Sequence, residues 1–383
     1  MTPAKALTPA APAPASPSTA RAINDRLALR LLQESGPLTA AELKTRTGLS
    51  RPSVADLVER LTGAGLIEVV GESGEQRRGP NARVYGIVAR RAHLAALDVR
   101  TDSVTAVVTD LLGRTLAQAD LPAGAPADAV AALLHTARTA GADSLHTVVV
   151  GAPGLVAPGT GELRDTTGLP AWHRDLVAAL QRSLPAEVAV ENETNLAALA
   201  EQRLGAARDL DSFVLLWLGA GVGAAVVLDG RLRRGASGGA GEIGFLPVPG
   251  TGGLPSATDC GGGFHALAGR DAVTALARLH GFDGPVEQAV SGAAGEPFLD
   301  ALAERLALGA AAVAAVLDPG CVVLGGELGL AGGPLLAARV AGRLAALTPL
   351  PTEVRATVLG GAAVLAGARL AARESAQEAL FGG

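Results

Sequence analysis

The sequence predicts an α/β protein in two parts, a small helical unit with a two-stranded tip in front of a larger domain of alternating strands and helices. Three observations lead there. Between residues 23 and 61, short apolar stripes at helical spacing are separated by cap and turn signals. From His93 onward, apolar runs of strand length recur, several ending on glycines. Charge divides at the same place: residues 1–91 hold 13 Lys/Arg against 8 Asp/Glu, and residues 92–383 hold 19 against 29. A basic module ahead of an acidic one suggests that the front end meets a polyanion.

A length of 383 residues allows two or three domains. The expected boundaries are a disordered arm over 1–20, the front unit over 21–91 and the large domain over 92–383. The arm, MTPAKALTPAAPAPASPSTA, is rich in Pro, Ala, Ser and Thr with Lys5 as its one charge, a composition that builds no core. It lacks the basic start and apolar centre of a secretory signal. No uninterrupted apolar run reaches the roughly 18 residues of a membrane span. Two cysteines, Cys260 and Cys321, make neither a disulfide framework nor a four-thiolate metal site. The expected compartment is the cytoplasm, with no membrane partner.

In the front unit, INDRLALRLL (23–32) repeats Ile23, Leu27 and Leu31 every four residues, which predicts a helix with that apolar face. Gly36-Pro37 ends it. Thr39 and Glu42 have capping-box spacing and open a second helix running to about Arg46. Thr47-Gly48-Leu49 forms a tight turn, in which Gly48 takes a positive φ. Ser50 caps a third helix, Pro52 sits in its first turn, and Val54, Leu57, Val58 and Leu61 line its buried face. Two short helices around such a turn form a helix-turn-helix. Arg51 and Ser53 then stand at the end of the second helix that faces base edges in a major groove. Arg46 and Ser50 flank them. LIEVV (66–70) and VYGIV (84–88) predict two strands around a Gly- and Arg-rich tip, a wing whose Arg77, Arg78 and Arg83 reach phosphates or the minor groove. The DNA-contact set is therefore Arg46, Ser50, Arg51, Ser53, Arg77, Arg78 and Arg83.

The large domain opens with HLAALDV (93–99) and VTAVVTD (104–110), a predicted hairpin broken at Arg100–Asp102, and a helix near 126–141. TVVVGAPG (147–154), EVAVENETN (187–195) running into LAALAEQRLG, FVLLWLGAGVGAAVVLDGRL (213–232) with Gly219, Gly221 and Gly223 at its bend, and CVVLGGELG (321–329) continue the alternation. Two such halves imply a ligand cleft between them.

At GAPGLVAPGTG (151–161), ENETN (191–195) and GASGGAGEIGF (235–245), the chain resembles the ROK family of repressors and sugar kinases, over roughly residues 21–370. The resemblance implies the two-lobed actin-like ATPase fold, with a hinge near 192–200. A winged helix in front is similar to the family's repressor branch, whose members are usually dimers or tetramers that sense sugars or sugar phosphates. It also implies a ligand site from Pro153, Gly154, Asn192, Glu193 and Glu242, with His265 standing for a further family Glu.

Departures from the family pattern bear on chemistry. The kinases carry Asp-x-Gly-Gly-Thr in the first hairpin, where this chain has Asp98-Val-Arg-Thr-Asp-Ser103. Close backbone approach to a phosphate is blocked, and Asp102 adds a repulsive charge. Glu193 replaces the kinases' catalytic Asp one methylene further out. The zinc signature is broken too. Phe245 occupies its His position and Cys260 remains alone of three cysteines, so no metal and no cofactor are expected. The expectation is a transcriptional regulator, a repressor of palindromic operator DNA controlled by a sugar or sugar phosphate. The alternatives are an active sugar kinase with a DNA-binding arm, and a large domain that only dimerises the front unit.

Overall fold

The computed structural model describes residues 17–73, 81–157, 160–164 and 170–381. The chain divides into two compact units, residues 1–92 with 375–383, and residues 93–374. The C-terminal residues from 375 count with the first unit.

The first unit begins with α1 (Pro17–Ser35), which starts inside the stretch expected to be a disordered arm. Its buried face also departs from expectation. Ile23 and Leu27 are 55 % and 37 % exposed, while Ala28, Leu29 and Leu32 are buried. The inward stripe runs through Asp25, Ala28, Leu29 and Leu32, spaced i, i+3, i+4, i+7. A carboxylate sits on that stripe because Arg60 meets Asp25 at 2.7 Å. β1 (Leu38–Thr39) leads into α2 (Ala40–Thr47), where Thr39 and Glu42 form the predicted reciprocal cap. Glu42's carboxyl lies below its ordinary pKa because the Thr39 backbone N–H and then its hydroxyl bond the ionised form. Gly48 follows at φ 71°, which the turn between α2 and α3 requires. α3 (Arg51–Gly63) is capped by Ser50 and buries Val54, Leu57, Val58 and Leu61, all as the spacing predicts. β2 (Ile67–Ser73) and β3 (Ala82–Ile87) pair antiparallel and add β1 in the order β1-β3-β2. Strand β2 extends three residues past its predicted end at Val70.

The second unit holds two five-stranded sheets. In the first, β4 (His93–Val99), β5 (Val104–Asp110) and β6 (Thr115–Leu121) form a meander. Then come α4 (Pro126–Thr139), β7 (Thr147–Ala152), α5 (Trp172–Ser183), β8 (Glu187–Asn192) and α6 (Glu193–Leu204). The order is β6-β5-β4-β7-β8, with β4, β7 and β8 parallel. The second half repeats the plan with β9 (Phe213–Leu218), β10 (Val222–Leu228) and β11 (Arg231–Arg233). The short α7 (His265–Ala268), α8 (Arg270–Leu279) and α9 (Val286–Gln288) precede α10 (Glu296–Leu317). β12 (Cys321–Gly325), α11 (Gly326–Leu347), β13 (Glu353–Ala356) and α12 (Ala363–Phe381) complete the order β11-β10-β9-β12-β13.

Each half has its own core. Leu97, Val108, Leu133, Val148, Leu176 and Leu180 pack in the first, and Phe264, Phe298, Leu302, Leu306, Leu336 and Val340 in the second. Helix α11 is long and apolar enough by length and composition to cross a membrane. It is bent at Gly333-Pro334, and Leu328, Leu336, Val340 and Leu344 lie in the second core. Gly326 at its start has φ 75°, and a Cβ there would lie 2.4 Å from the Leu218 carbonyl oxygen. Only glycine lets β12 turn into α11 this close to β9.

Candidate nucleic-acid interface and ligand cleft

In the first unit, the N-terminal end of α3 is exposed at Arg51, Pro52 and Ser53. Ser50 Oγ accepts the Ser53 backbone N–H at 3.3 Å and lies 2.9 Å from Ser53 Oγ. Both hydroxyls therefore hold the cap, and what they offer outward is their remaining lone pairs and protons. Arg51 has no hydrogen-bond or ion-pair partner among the described residues. Arg46 is exposed on α2, where its guanidinium donates to Ser35 Oγ. Arg60, by contrast, is committed to Asp25 and Asp56, and Arg90 to Glu68, so these two cations hold the unit together. Arg83 is exposed on β3, opposite Glu72 in the wing register. Arg77 and Arg78, expected at the wing tip, lie outside the described residues.

In the second unit, the parallel strands β4, β7 and β8 bring their carboxyl ends to one sheet edge, where Asp98 pairs with Gly151 and Ala152 with Asn192. Ligands of open α/β sheets gather at such edges. Asn192 is the cap of α6: its Oδ1 accepts the backbone N–H groups of Thr194 at 2.8 Å and Asn195 at 3.3 Å. Its Nδ2 donates to Gly154 O at 2.9 Å, tying the Pro153-Gly154 turn to the helix start. The side chain expected to read a ligand is thus mostly spent on local structure, with one N–H left over. Asn195 and Arg234 hold the adjacent Glu191, at 2.9 and 2.6 Å.

Glu193 occupies the first position of α6, half-buried. Its carboxyl is pushed up to about 7, chiefly by burial and then by the negative charge of Asp98, with Arg100 opposing. Glu242, at the start of the 243–245 turn, is also raised by burial. His265 begins α7 beside Gly244 with its ring against Gly269, in the neighbourhood of Glu242.

Sequence reasoning missed Arg100 and Glu327. Arg100 Nε donates to Asp98 Oδ2 at 3.0 Å, Nη1 to Glu327 Oε1 at 2.6 Å and Nη2 to Gly361 O at 2.9 Å. One guanidinium thereby joins the first hairpin of one half to the start of α11 in the other. Burial works against its charge, and Asp98 and Glu327 outweigh that. A Cβ on Gly219 would lie 3.2 Å from Glu327 Oε2, so this carboxylate stands against the Gly-rich 219–223 bend. Asp102, the expected source of repulsion, is instead exposed on the hairpin turn. The sequence signal was Arg100 itself, a long cation where the family's kinases carry glycine. His173, fully buried on α5, donates from Nε2 to Arg100 O at 3.0 Å and is held neutral by burial.

The residues at the family's zinc positions do not fit the metal. Phe245 offers no donor, the Cys260 thiol is pushed up by burial, and no group of three metal-ligating side chains converges among the described residues.

Residues 23–79 match the MarR family, in agreement with the winged helix. The chain is 25 % identical over 235 residues to the xylose repressor of Bacillus subtilis, covering 59 % of this chain and 60 % of that one. It is 27 % identical over 238 residues to the DNA-binding transcriptional dual regulator NagC of Escherichia coli, covering 59 % of this chain and 57 % of that one. The aligned region thus spans under two thirds of either relative. The fold is similar to that of a ROK family transcriptional regulator described as a homolog of the E. coli MLC protein, with a TM-score of 0.74 at 21 % identity over 94 % of this chain and 98 % of that one. The repeated halves are the two lobes of the actin-like fold. Residues 94–375 match the ROK family, and the chain belongs to it.

Proposed function

We propose that the chain is a sequence-specific transcriptional regulator, a repressor, that binds palindromic operator DNA as a cytoplasmic dimer and is controlled by a sugar bound in the cleft of its large domain. The observation that carries this reading is the exposed, capped start of α3, where Arg51 is unpaired among the described residues and Ser53 is accessible. It sits on a helix-turn-helix with a wing, in a chain whose similar relatives are named as repressors and a DNA-binding regulator. Arg51 is the residue to read guanine, Ser53 and Ser50 approach bases or phosphates, and Arg46 and Arg83, with Arg77 and Arg78, contact the backbone. Pro153, Gly154, Asn192, Glu193, Glu242 and His265 form the effector pocket, and the 192–200 segment is the hinge through which occupancy alters half-site spacing.

The kinase reading has less support. Arg100 pairs with Glu327 across the two halves, Glu327 stands against Gly219, and Arg100 takes the place of a glycine whose bare backbone would cradle a phosphate.

The test is binding to DNA from the region upstream of the chain's own coding sequence. Arg51→Ala is expected to weaken specific binding by about tenfold to a hundredfold, the worth of one bidentate Arg–guanine contact, while non-specific binding stays. Binding that is salt-sensitive, indifferent to sequence and unchanged in Arg51→Ala contradicts the reading.

A further inference from the structure

The cleft is short of positive charge. Asp98, Glu191, Glu193, Glu242 and Glu327 gather around it, and Arg100 and Arg234 are the cations that pair with them among the described residues. Arg100 serves two carboxylates and a carbonyl at once. A surplus of three carboxylates remains. Asp98 is only 5 % exposed and its Oδ1 is buried with no hydrogen-bond partner. Such an atom wants a donor. The Glu193 and Glu242 carboxyl groups likewise accept no hydrogen bond from the described residues, and Asn192 keeps one free N–H beside them. Burial and the neighbouring carboxylates hold Glu193 well above its ordinary range, as expected where acceptors outnumber donors.

We propose that this cleft takes a hydroxyl-rich ligand carrying no negative charge and rejects the phosphate esters of the same ligand. Sugar hydroxyls supply the donors that Asp98 Oδ1, Glu193 and Glu242 lack. A phosphate brings acceptors and two negative charges into a partly desolvated site that already repels them, and the two cations that reach these carboxylates, Arg100 and Arg234, are already paired. Arg100 cannot turn to a phosphate without releasing Asp98 and Glu327. Rejection is thus built from unpaired like charge, the means by which sites exclude close analogues. The inference rests on the sugar-sensor reading and narrows it to unphosphorylated sugars.

The experiment measures the full chain by thermal shift and calorimetry against matched pairs: glucose and glucose 6-phosphate, N-acetylglucosamine and its 6-phosphate, and xylose and xylose 5-phosphate. The expected result is that a free sugar binds and its ester binds at least about tenfold more weakly. In Glu193→Gln/Glu242→Gln, measured at pH 8 where Glu193 is ionised, that gap narrows, because two repelling carboxylates are gone. An ester that binds as tightly as its parent sugar, or a gap unchanged in the double variant, overturns the inference and leaves the sensor reading standing. No binding by any member of the panel overturns the sensor reading, and the inference with it.

Discussion

Arg100→Ala is expected to lower the melting midpoint of the large unit by roughly 5–8 °C at neutral pH, the largest single effect the structure predicts. The substitution removes three hydrogen bonds at once. It leaves Asp98, already carrying one unpartnered oxygen, with two. Breaking a fully buried pair by removing one partner costs about 3–5 kcal/mol, and about 2–3 kcal/mol is appropriate here because the Arg100 side chain is 39 % exposed. The loss has a signature that a mere packing defect lacks. Asp98 is pushed up by burial, so without Arg100 it takes a proton more readily, and the deficit shrinks as the pH is lowered. Arg100→Lys keeps the charge but cannot reach three acceptors from one planar group, and an intermediate loss is expected. Differential scanning calorimetry at pH 7.5 and 5 reads both effects. An unchanged midpoint in Arg100→Ala contradicts the interlobe role.

Glu193→Gln is expected to stabilise the protein at alkaline pH by about 2 kcal/mol and to have little effect near pH 4.5. The sign follows from the direction of the shift. A glutamate carboxyl ordinarily titrates near 4.5, and Glu193 is raised in the folded chain to about 7. The folded state therefore binds its proton more tightly than the unfolded chain does. The stabilising contribution is fully present below pH 4.5 and is lost as the pH rises through 7. Above that, folding holds a half-buried carboxylate beside Asp98 that the unfolded chain keeps in water. Glutamine removes the charge and keeps the shape. The check is the midpoint of both proteins as a function of pH: the curves should separate between pH 5 and 8, and parallel curves would show that Glu193 carries no such burden. A group whose ionisation costs stability in the free protein is a candidate for work in the bound one.

Local chemistry was the part of the fold most legible in the sequence. The Thr39–Glu42 box, the Gly48 turn, the Ser50 cap and the buried stripe of α3 depend on residues within a turn or two of one another, and each is as predicted. The strands between 93 and 110, from 147 to 152 and from 321 to 325 were visible as apolar runs because both of their faces are covered. What stayed hidden was non-local. The inward face of α1 includes Asp25, which periodicity rejects and Arg60, 35 residues away, neutralises. Strand β6 reads Thr-Leu-Ala-Gln-Ala-Asp-Leu and lies at a sheet edge, half exposed, so it gives little apolar signal. The sequence pointed to Asn192, Glu193 and Glu242 but not to the local contacts they make. Asn192 serves the helix cap, and the Arg100–Glu327 pair joins residues 227 apart in the chain.

The most direct measurement is operator affinity with and without the ligand that the panel identifies. Wild-type protein is titrated into labelled upstream DNA at fixed salt, first alone and then with saturating free sugar. If the cleft controls the DNA-binding unit, the two constants differ by roughly 5- to 150-fold, the range of ordinary coupling between two sites, and Glu193→Gln reduces the difference. Equal constants in the presence of a sugar that demonstrably binds would mean that the cleft and the recognition helix do not communicate, and the account of a ligand-controlled regulator would be wrong.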